Sequence, residues 1–196
     1  MKSGILTYTL PEPPIDRREI LRYARGSEED AATAPLLDRL LREARPQLDY
    51  RASVLRVSAS VEGDTVTLGP ITVLSRSLAA QLAGAREALL VAATVGAGID
   101  RLILRYSRLS PASALLLEAI GSERAEALIS ALEARLCEEH GSLTRRFSPG
   151  YGDLPLSLQG ELFSLLDCER RLGLTLGAGL LMSPRKSVTA IMGILD

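Results

Sequence analysis

The residues best suited to ligand chemistry lie at positions 146–155, which read RFSPGYGDLP. The segment combines a guanidinium, stiff prolines, glycines that can take positive φ, and the amphipathic ring of Tyr151. An arginine binds a carboxylate through two parallel hydrogen bonds, and glycines let a backbone lie close to a flat ligand. The segment therefore predicts a site for a ligand with a carboxylate and an aromatic or apolar part. A surface turn is the alternative for the same composition.

A second segment strengthens this prediction. Residues 180–190 read LLMSPRKSVTA. The Arg-Phe-Ser-Pro-Gly-Tyr at 146–151 resembles the Arg-x-x-Pro-Gly-Tyr signature of the S-adenosylmethionine-binding activation domain of cobalamin-dependent methionine synthase. The later segment is similar to that family's Pro-x-x-Ser-Val-Ser/Thr. Residues 16–23 and 92–102 also fit, so the whole chain, 1–196, resembles the short stand-alone form of this domain as a single domain.

The resemblance implies a function for the chain. In that family the activation domain binds S-adenosylmethionine and docks over the corrinoid. Oxidised cob(II)alamin is then reductively remethylated to methylcobalamin, with an electron from a flavodoxin-like donor. The chain would be an accessory subunit of a methyltransferase in methionine biosynthesis, and its partner, a methionine synthase core or another corrinoid protein, would hold the cobalamin. Its contribution would be positioning rather than acid–base chemistry.

The resemblance also implies a set of ligand-binding residues. Arg146 would bind the carboxylate of the methionine part, Gly150 would let the loop pass near the nucleoside, and Tyr151 would pack on the ligand or on the corrin. A surface salt bridge is the alternative for Arg146, and a solvated side chain is the alternative for Glu126. The complete set is Arg146, Ser148, Gly150, Tyr151, Glu126 and Ser187. Lys186 and Thr189 are further candidates for lining the same cleft, although the start of a strand explains them equally well.

The chain departs from the larger enzyme's domain around the ligand. An acid from that domain's N-terminal helices has no counterpart here, and its aromatic pair after Ser-Val-Ser would fall beyond Asp196. The acid–histidine pair after its signature proline is Leu156 and Ser157 in this chain. The resemblance thus carries over the carboxylate clamp but not the rest of the cage, and we expect a partner to complete the site.

Two other functions compete with this one. The first is a non-catalytic partner that docks to a corrinoid protein without using S-adenosylmethionine. The second is an independent small-molecule methyltransferase built on Gly96 and Gly98, which follow a predicted strand and precede a helix, as in phosphate- and cofactor-binding loops. That segment lacks GxGxxG spacing, so a tight strand-to-helix turn is its alternative.

Composition excludes several classes of protein. The formal net charge of −1 gives no electrostatic case for binding nucleic acid or an anionic membrane, because the arginines are scattered among acidic residues. No apolar run reaches the length of a membrane span, and the N-terminus does not resemble a signal peptide. Cys137 and Cys168 are isolated and His140 is the one histidine, so we expect reduced thiols, no metal site and a cytoplasmic protein.

Hydropathy patterns predict an α+β fold, with a central, mostly antiparallel sheet flanked by helices. Residues 88–95 form a continuous apolar run, typical of a strand buried on both faces. Asp16 and Glu19 have capping-box spacing, and Gly121 is the candidate interruption of a long helix that begins at Pro111. The predicted strands are 4–10, 51–61, 65–68, 71–74, 88–95, 175–182 and 187–195. The predicted helices are 16–25, 28–44, 77–82, 99–106, 111–138 and 159–172.

Overall fold

An antiparallel sheet of six strands forms the centre of the computed structural model, which describes residues 4–25 and 33–195. The strands of the protein are β1 (Leu6–Thr9), β2 (Arg51–Glu62), β3 (Thr65–Leu68), β4 (Ile71–Leu74), β5 (Glu87–Thr94), β6 (Thr175–Leu176), β7 (Met182–Ser183) and β8 (Ser187–Ile194). The sheet has the order β4-β3-β2-β5-β8, and β1 also pairs with β2, whereas β6 and β7 form a separate two-stranded ribbon. The predicted mostly antiparallel α+β architecture is therefore confirmed.

Helices cover both faces of the sheet. They are α1 (Arg17–Tyr23), α2 (Thr33–Ala44), α3 (Arg76–Gln81), α4 (Gly98–Leu109), α5 (Pro111–His140), α6 (Leu158–Leu165) and α7 (Cys168–Leu172). The first apolar core joins one face to α1, α2, α4 and α5, and the second joins the other face to α3, α6 and α7. Leu89 and Val91 of β5 lie in the first core and Leu90 in the second, which confirms the strand predicted to be buried on both faces.

Only one of the two reciprocal interactions of the predicted capping box forms at the start of α1. The Asp16 carboxylate accepts hydrogen bonds from the backbone N–H groups of Arg18 and Glu19, as an N-cap does. The backbone N–H of Asp16, however, donates to Glu123 on α5 at 3.0 Å, while Glu19 pairs with Arg22. The second half of the prediction was wrong because a residue distant in sequence takes the donor. The predicted start of the second helix falls in residues 26–32, outside the described residues.

The long helix α5 is continuous through Gly121, where an interruption was considered. A Cβ at this position would lie 2.9 Å from the Lys186 side chain and 3.2 Å from Ile99. Gly121 therefore allows the start of β8 and α4 to approach α5 closely, and it does not break the helix.

The C-terminal third differs from the prediction in two places. The helix predicted at 159–172 is two helices, because Asp167 adopts a left-handed conformation (φ 51°) and Ser53 of β2 donates to the Leu166 carbonyl at 3.1 Å. The strand predicted at 175–182 is only β6 and β7, separated by a turn in which Gly179 and Leu180 have positive φ. Leu180 and Leu181 of this turn line a common cleft with residues of the segment 146–155.

Candidate functional site

The segment 146–155 leaves the sheet in a tight, hydrogen-bonded turn. Phe147 pairs with Ile191 of β8 through two backbone hydrogen bonds of 2.8 and 2.9 Å. The N–H of Gly150, whose φ is +90°, then donates to the Leu154 carbonyl. Arg146 precedes the pairing with β8, so the sheet fixes the backbone from which its side chain extends.

Asp153 attaches this turn to the start of α3. Its carboxylate accepts hydrogen bonds from Ser75 Oγ at 2.6 Å, Arg76 N at 2.8 Å and Ser77 N at 3.1 Å. The hydrogen bond from Ser75, with those from Ser77 and Arg76, holds the pKa of Asp153 well below its ordinary value against a smaller effect of burial. The adjacent Gly152 approaches Ser77 so closely that a Cβ would lie 2.8 Å from its Oγ.

A cleft of about 790 Å³ opens beside the turn. Its walls come from α5, from the turn, from the start of α6, from the β6–β7 connection and from the start of β8. Its size falls in the range of about 300–1,000 Å³ that is typical of small-molecule sites. The lining residues are Glu126, Arg146, Phe147, Ser148, Pro149, Tyr151, Leu156, Gln159, Leu180, Leu181, Met182, Arg185, Ser187, Val188 and Thr189.

Arg146 lies between this cleft and a polar face of α5. Its Nη2 donates to Glu126 Oε2 at 2.6 Å, and its Nη1 donates to Glu133 Oε2 and to Ser130 Oγ, both at 3.3 Å. The side chain is 32% exposed, so the salt bridge considered from the sequence exists, although it lies on the cleft wall. A guanidinium has five N–H donors, and the described residues accept three hydrogen bonds from it, so donors remain for a ligand carboxylate.

Buried polar side chains form the floor of the cleft. Ser187 Oγ lies 2.8 Å from Thr94 Oγ1 and donates to the Pro184 carbonyl at 2.8 Å. Thr189 Oγ1 donates to Gln159 Oε1 at 3.2 Å, and the Gln159 amide donates to the Leu180 carbonyl at the same distance. These bonds connect β8 to α6 and to the β6–β7 turn, so the floor is held in one arrangement.

The structure brings together five of the six site residues predicted from the sequence. Arg146, Ser148, Tyr151, Glu126 and Ser187 all line the cleft, together with the further candidate Thr189.

Two of the residues predicted for the cleft lie beside it. Gly150 supports the wall from behind, since a Cβ there would lie 3.3 Å from Leu156. Lys186, the other candidate, points to α5, where its Nζ lies 2.7 Å from Glu118 and 2.9 Å from Ser122. Burial alone would raise the pKa of Glu118, but the hydrogen bond and charge of Lys186, with the charge of Arg185, hold it below its ordinary value.

Sequence reasoning missed several lining residues. Arg185, in the second signature-like segment, lines the cleft, and its backbone N–H donates to Asp100 at 2.7 Å. Gln159 and the apolar residues 180–182 were missed because a helix start and a strand gave no sign of a shared surface. The arginine of the Pro-Arg-Lys-Ser segment was the available signal.

The strand-to-helix turn at Gly96 and Gly98 is filled by protein. A Cβ on Gly98 would lie 2.1 Å from the Gln47 carbonyl oxygen, and one on Gly96 would lie 3.2 Å from Asp49. The backbone before α4 is therefore packed against residues 47–49. This packing favours the tight-turn interpretation over a cofactor-binding loop.

Metal binding and thiol chemistry are poorly supported by the residues that the structure describes. No group of three or more His, Cys, Asp or Glu side chains that could hold a metal ion occurs among residues 4–25 and 33–195. Burial, with the nearby charge of Asp167, raises the pKa of the Cys168 thiol to about 12, which makes it a poor nucleophile at neutral pH. His140 is the last residue of α5. Within the same ranges, no helix has both the length and the apolar character needed to cross a bilayer.

Comparisons with known proteins bear on the fold. No protein-family model matches the chain, and a search of curated proteins found no match. A crystal structure of the MetH reactivation domain bound to AdoHcy is similar to this chain, with a TM-score of 0.71 and 16% sequence identity. The match covers 98% of this chain and 79% of the other. The fold expected from the resemblance is therefore confirmed.

The cleft offers groups that suit the amino-acid part and the adenosyl part of an S-adenosyl ligand. Arg146 and Glu126 are a cation and an anion suited to an α-carboxylate and an α-ammonium group, respectively. Leu156, Leu181 and Met182 offer apolar surface to an adenine ring, and the polar floor offers hydroxyl and amide groups to a ribose. The residues present therefore fit this ligand class.

Proposed function

We propose that this chain provides the activation function of a cobalamin-dependent methionine synthase. It binds S-adenosylmethionine in the cleft and docks over the corrinoid of its partner, so that cob(II)alamin is reductively remethylated to methylcobalamin. The observation that carries the proposal is the Arg146–Glu126 pair on the wall of a ligand-sized cleft. The likeness in fold to a domain whose structure contains AdoHcy supports the choice of ligand.

In this proposal the residues of the chain bind and orient. Arg146 and Glu126 hold the amino-acid part, and the ligand supplies a methyl group on a positively charged sulfur. Because transfer of that methyl requires no proton movement, the site needs no general acid or base. Holding the sulfonium in one orientation above the partner is how the chain would accelerate the reaction.

The mouth of the cleft supports docking to a partner. Tyr151 and Leu181, which are 69% and 73% exposed, lie at the cleft together with exposed Leu156. Clustered apolar side chains of this kind mark binding surfaces. We propose that a corrinoid protein covers them and that a flavodoxin-like donor supplies the electron.

We further propose that residues 1–196 act as one domain in the cytoplasm. The two apolar cores share β5, which supports a single cooperative unit.

An absorbance assay tests this function. A synthase core without its own activation domain, loaded with cob(II)alamin, is mixed with S-adenosylmethionine and a reduced flavodoxin-like protein. We expect methylcobalamin to form only when the chain is added. Arg146→Ala should abolish the conversion, whereas Arg145→Ala, which changes the exposed neighbouring arginine, should preserve it.

Two results of this assay would contradict the proposal. Conversion that survives Arg146→Ala would remove that residue from the ligand site. Binding of the chain to the core without any conversion would support the alternative of a docking partner that does not use S-adenosylmethionine.

A further inference from the structure

The outer face of α4 carries cations and exposed leucines that the proposed function does not use. Five residues surround a shallow hollow of about 420 Å³ along this helix: Arg101, Leu104, Arg105, Arg108 and Leu109. At 3.6 residues per turn they fall within an arc of about 140° on one side of the helix. The expectation of scattered arginines therefore does not hold on this surface, which we call the α4 face.

The α4 face combines apolar surface with two arginines that form no ion pair with the part of the chain that the structure describes. Leu104 and Leu109 are 63% and 66% exposed. Arg105 pairs with Glu43 at 3.4 Å, but no carboxylate of residues 4–25 or 33–195 forms an ion pair with Arg101 or Arg108. Exposed leucines beside unpaired guanidinium groups are typical of a protein-binding surface, where arginine is enriched and the opposing charges are complementary.

We propose that the α4 face binds an acidic, amphipathic helix of a protein partner. Arg101 and Arg108 are seven residues apart, which is about 10.5 Å along a helix. A partner helix lying along α4 matches them with carboxylates at positions i and i+7, and places apolar side chains on the two sides of this row against Leu104 and Leu109. An anionic bilayer is a poorer match, because the chain as a whole has a formal net charge of −1.

This surface is separate from the ligand site but close to it. Asp100, in the first turn of α4, holds the backbone N–H of Arg185, and Arg185 lines the cleft. The α4 face and the cleft share no lining residue. The inference goes beyond the proposed function and does not depend on S-adenosylmethionine.

Fluorescence anisotropy with designed peptides tests the inference. The probe is a labelled helical peptide with glutamates seven residues apart and leucines flanking this row on both sides of the same face. One control peptide carries glutamine in place of glutamate, and another has the same composition with the leucines moved to the opposite face. We expect the full chain to bind the probe at low salt and to bind both controls at least about tenfold more weakly.

Matched variants of the chain make the test specific. Arg101→Glu with Arg108→Glu, and separately Leu104→Ser with Leu109→Ser, should each weaken probe binding about tenfold or more. Arg86→Glu with Arg170→Glu changes the net charge by the same amount at exposed positions outside α4 and should leave binding nearly unchanged. Circular dichroism of each variant confirms that it is folded.

Several outcomes would overturn the inference. They are no binding of the probe by the wild-type chain, equal binding of the peptide with displaced leucines, or binding undiminished by the leucine substitutions. Sedimentation velocity provides a further check. A wild-type dimer that the leucine substitutions dissociate would show that a second copy of the chain covers this face.

Discussion

Arg146 pairs with two carboxylates and lines the cleft. We therefore expect competition for its guanidinium group to set the affinity of the proposed ligand site. Glu126 lines the cleft, whereas Glu133 contacts the guanidinium from outside the set of lining residues. A ligand carboxylate must compete with both glutamates for the guanidinium. In the proposed binding mode, Glu126 rather than Glu133 contacts the ammonium group of the ligand, because only Glu126 of the two lines the cleft.

The two glutamates should therefore respond in opposite directions to the same substitution. Glu133→Gln removes a competitor and should tighten S-adenosylhomocysteine binding about two- to fivefold, the range of a partly exposed ion pair. Glu126→Gln should weaken it about tenfold or more, because a charge-assisted hydrogen bond to the ammonium is lost. Calorimetric titration measures both values. Weaker binding by both variants would contradict this assignment.

Among single residues, the sequence predicted the cleft-lining residues that belong to a recognisable motif. It missed those that reach the cleft only through the packing of segments distant in sequence. Arg146 and Ser187 were found because their segments carry recognisable residue types at recognisable spacing. Gln159 and Arg185 were missed since their proximity depends on how α6 and β8 pack. Gly150 has a positive φ in the turn, and its expected closeness to a nucleoside stays a prediction.

At the scale of elements, the turn 146–155 depends on its attachment to α3. Asp153→Asn should weaken the three hydrogen bonds that the carboxylate accepts. We expect faster amide hydrogen exchange at Arg76 and Ser77, together with weaker S-adenosylhomocysteine binding. Faster exchange with unchanged binding would show that the attachment does not position Arg146.

The same attachment should show a pH dependence. The hydrogen bond from Ser75, with those from Ser77 and Arg76, favours the charged carboxylate, so folding lowers the pKa of Asp153. Its stabilising effect is therefore present above the ordinary pKa of 3.8 and is lost as the pH falls towards the lowered value. The difference in urea midpoint between the wild type and Asp153→Asn should be largest at neutral pH and should shrink below pH 3.8. A difference that grows in acid would be inconsistent with a lowered pKa.

The packing of the turn before α4 gives another prediction. Gly98→Ala would place a Cβ against the Gln47 carbonyl and should destabilise the protein by about 3 kcal/mol, since backbone must move. Gly160→Ala is the matched control, because α6 leaves open space there, and it should stabilise by up to about 1 kcal/mol. Urea unfolding measures both. A neutral Gly98→Ala would reopen the interpretation of this turn as a ligand-binding loop.

Elements were predicted well where local pattern decides and poorly where distant contacts do. The hairpins of β2, β3 and β4 match their Gly-containing two-residue turns, and Ser110 with Pro111 marks the start of α5. The helix predicted at 159–172 fails at Asp167, because Ser53 binds the Leu166 carbonyl from another strand. Nothing near position 167 in the sequence encodes that contact.

At the scale of the whole molecule, a buried ion pair attaches the N-terminal segment to the long helix. Arg124 is fully buried, pairs with Glu123, and donates to the carbonyls of Pro13 and Pro14, each at 2.6 Å. Removing the guanidinium leaves Glu123 as a buried, unpaired charge beside two carbonyls that lose their donors. The attachment therefore spans more than a hundred residues of sequence.

Arg124→Ala should accordingly destabilise the protein by about 3–5 kcal/mol, the cost of breaking a buried pair. Arg135→Ala, which removes an exposed pair with Glu139 on the same helix, should cost less than about 1 kcal/mol. Urea unfolding compares the two variants. Equal effects would show that burial of the first pair does not determine its contribution.

Hydropathy was sufficient for the fold class, since alternating and continuous apolar runs decide which strands are half-buried and which are central. Hydropathy did not predict that Arg124 attaches the N-terminal segment to α5, because Glu123 and Arg124 resemble ordinary exposed helix charges in the sequence. The α4 face was missed because the helix predicted at 99–106 ended before Arg108 and Leu109, which α4 includes.

Calorimetric titration of S-adenosylhomocysteine into the chain tests most directly whether Arg146 and the cleft form an S-adenosyl site. Titrations should be made with and without a cobalamin-loaded synthase core, because a partner can complete the site. We expect saturable binding that Arg146→Ala weakens by about 1.5–3 kcal/mol and that Arg145→Ala leaves unchanged. Absence of heat under both conditions, or equal affinity in the two variants, would contradict the account.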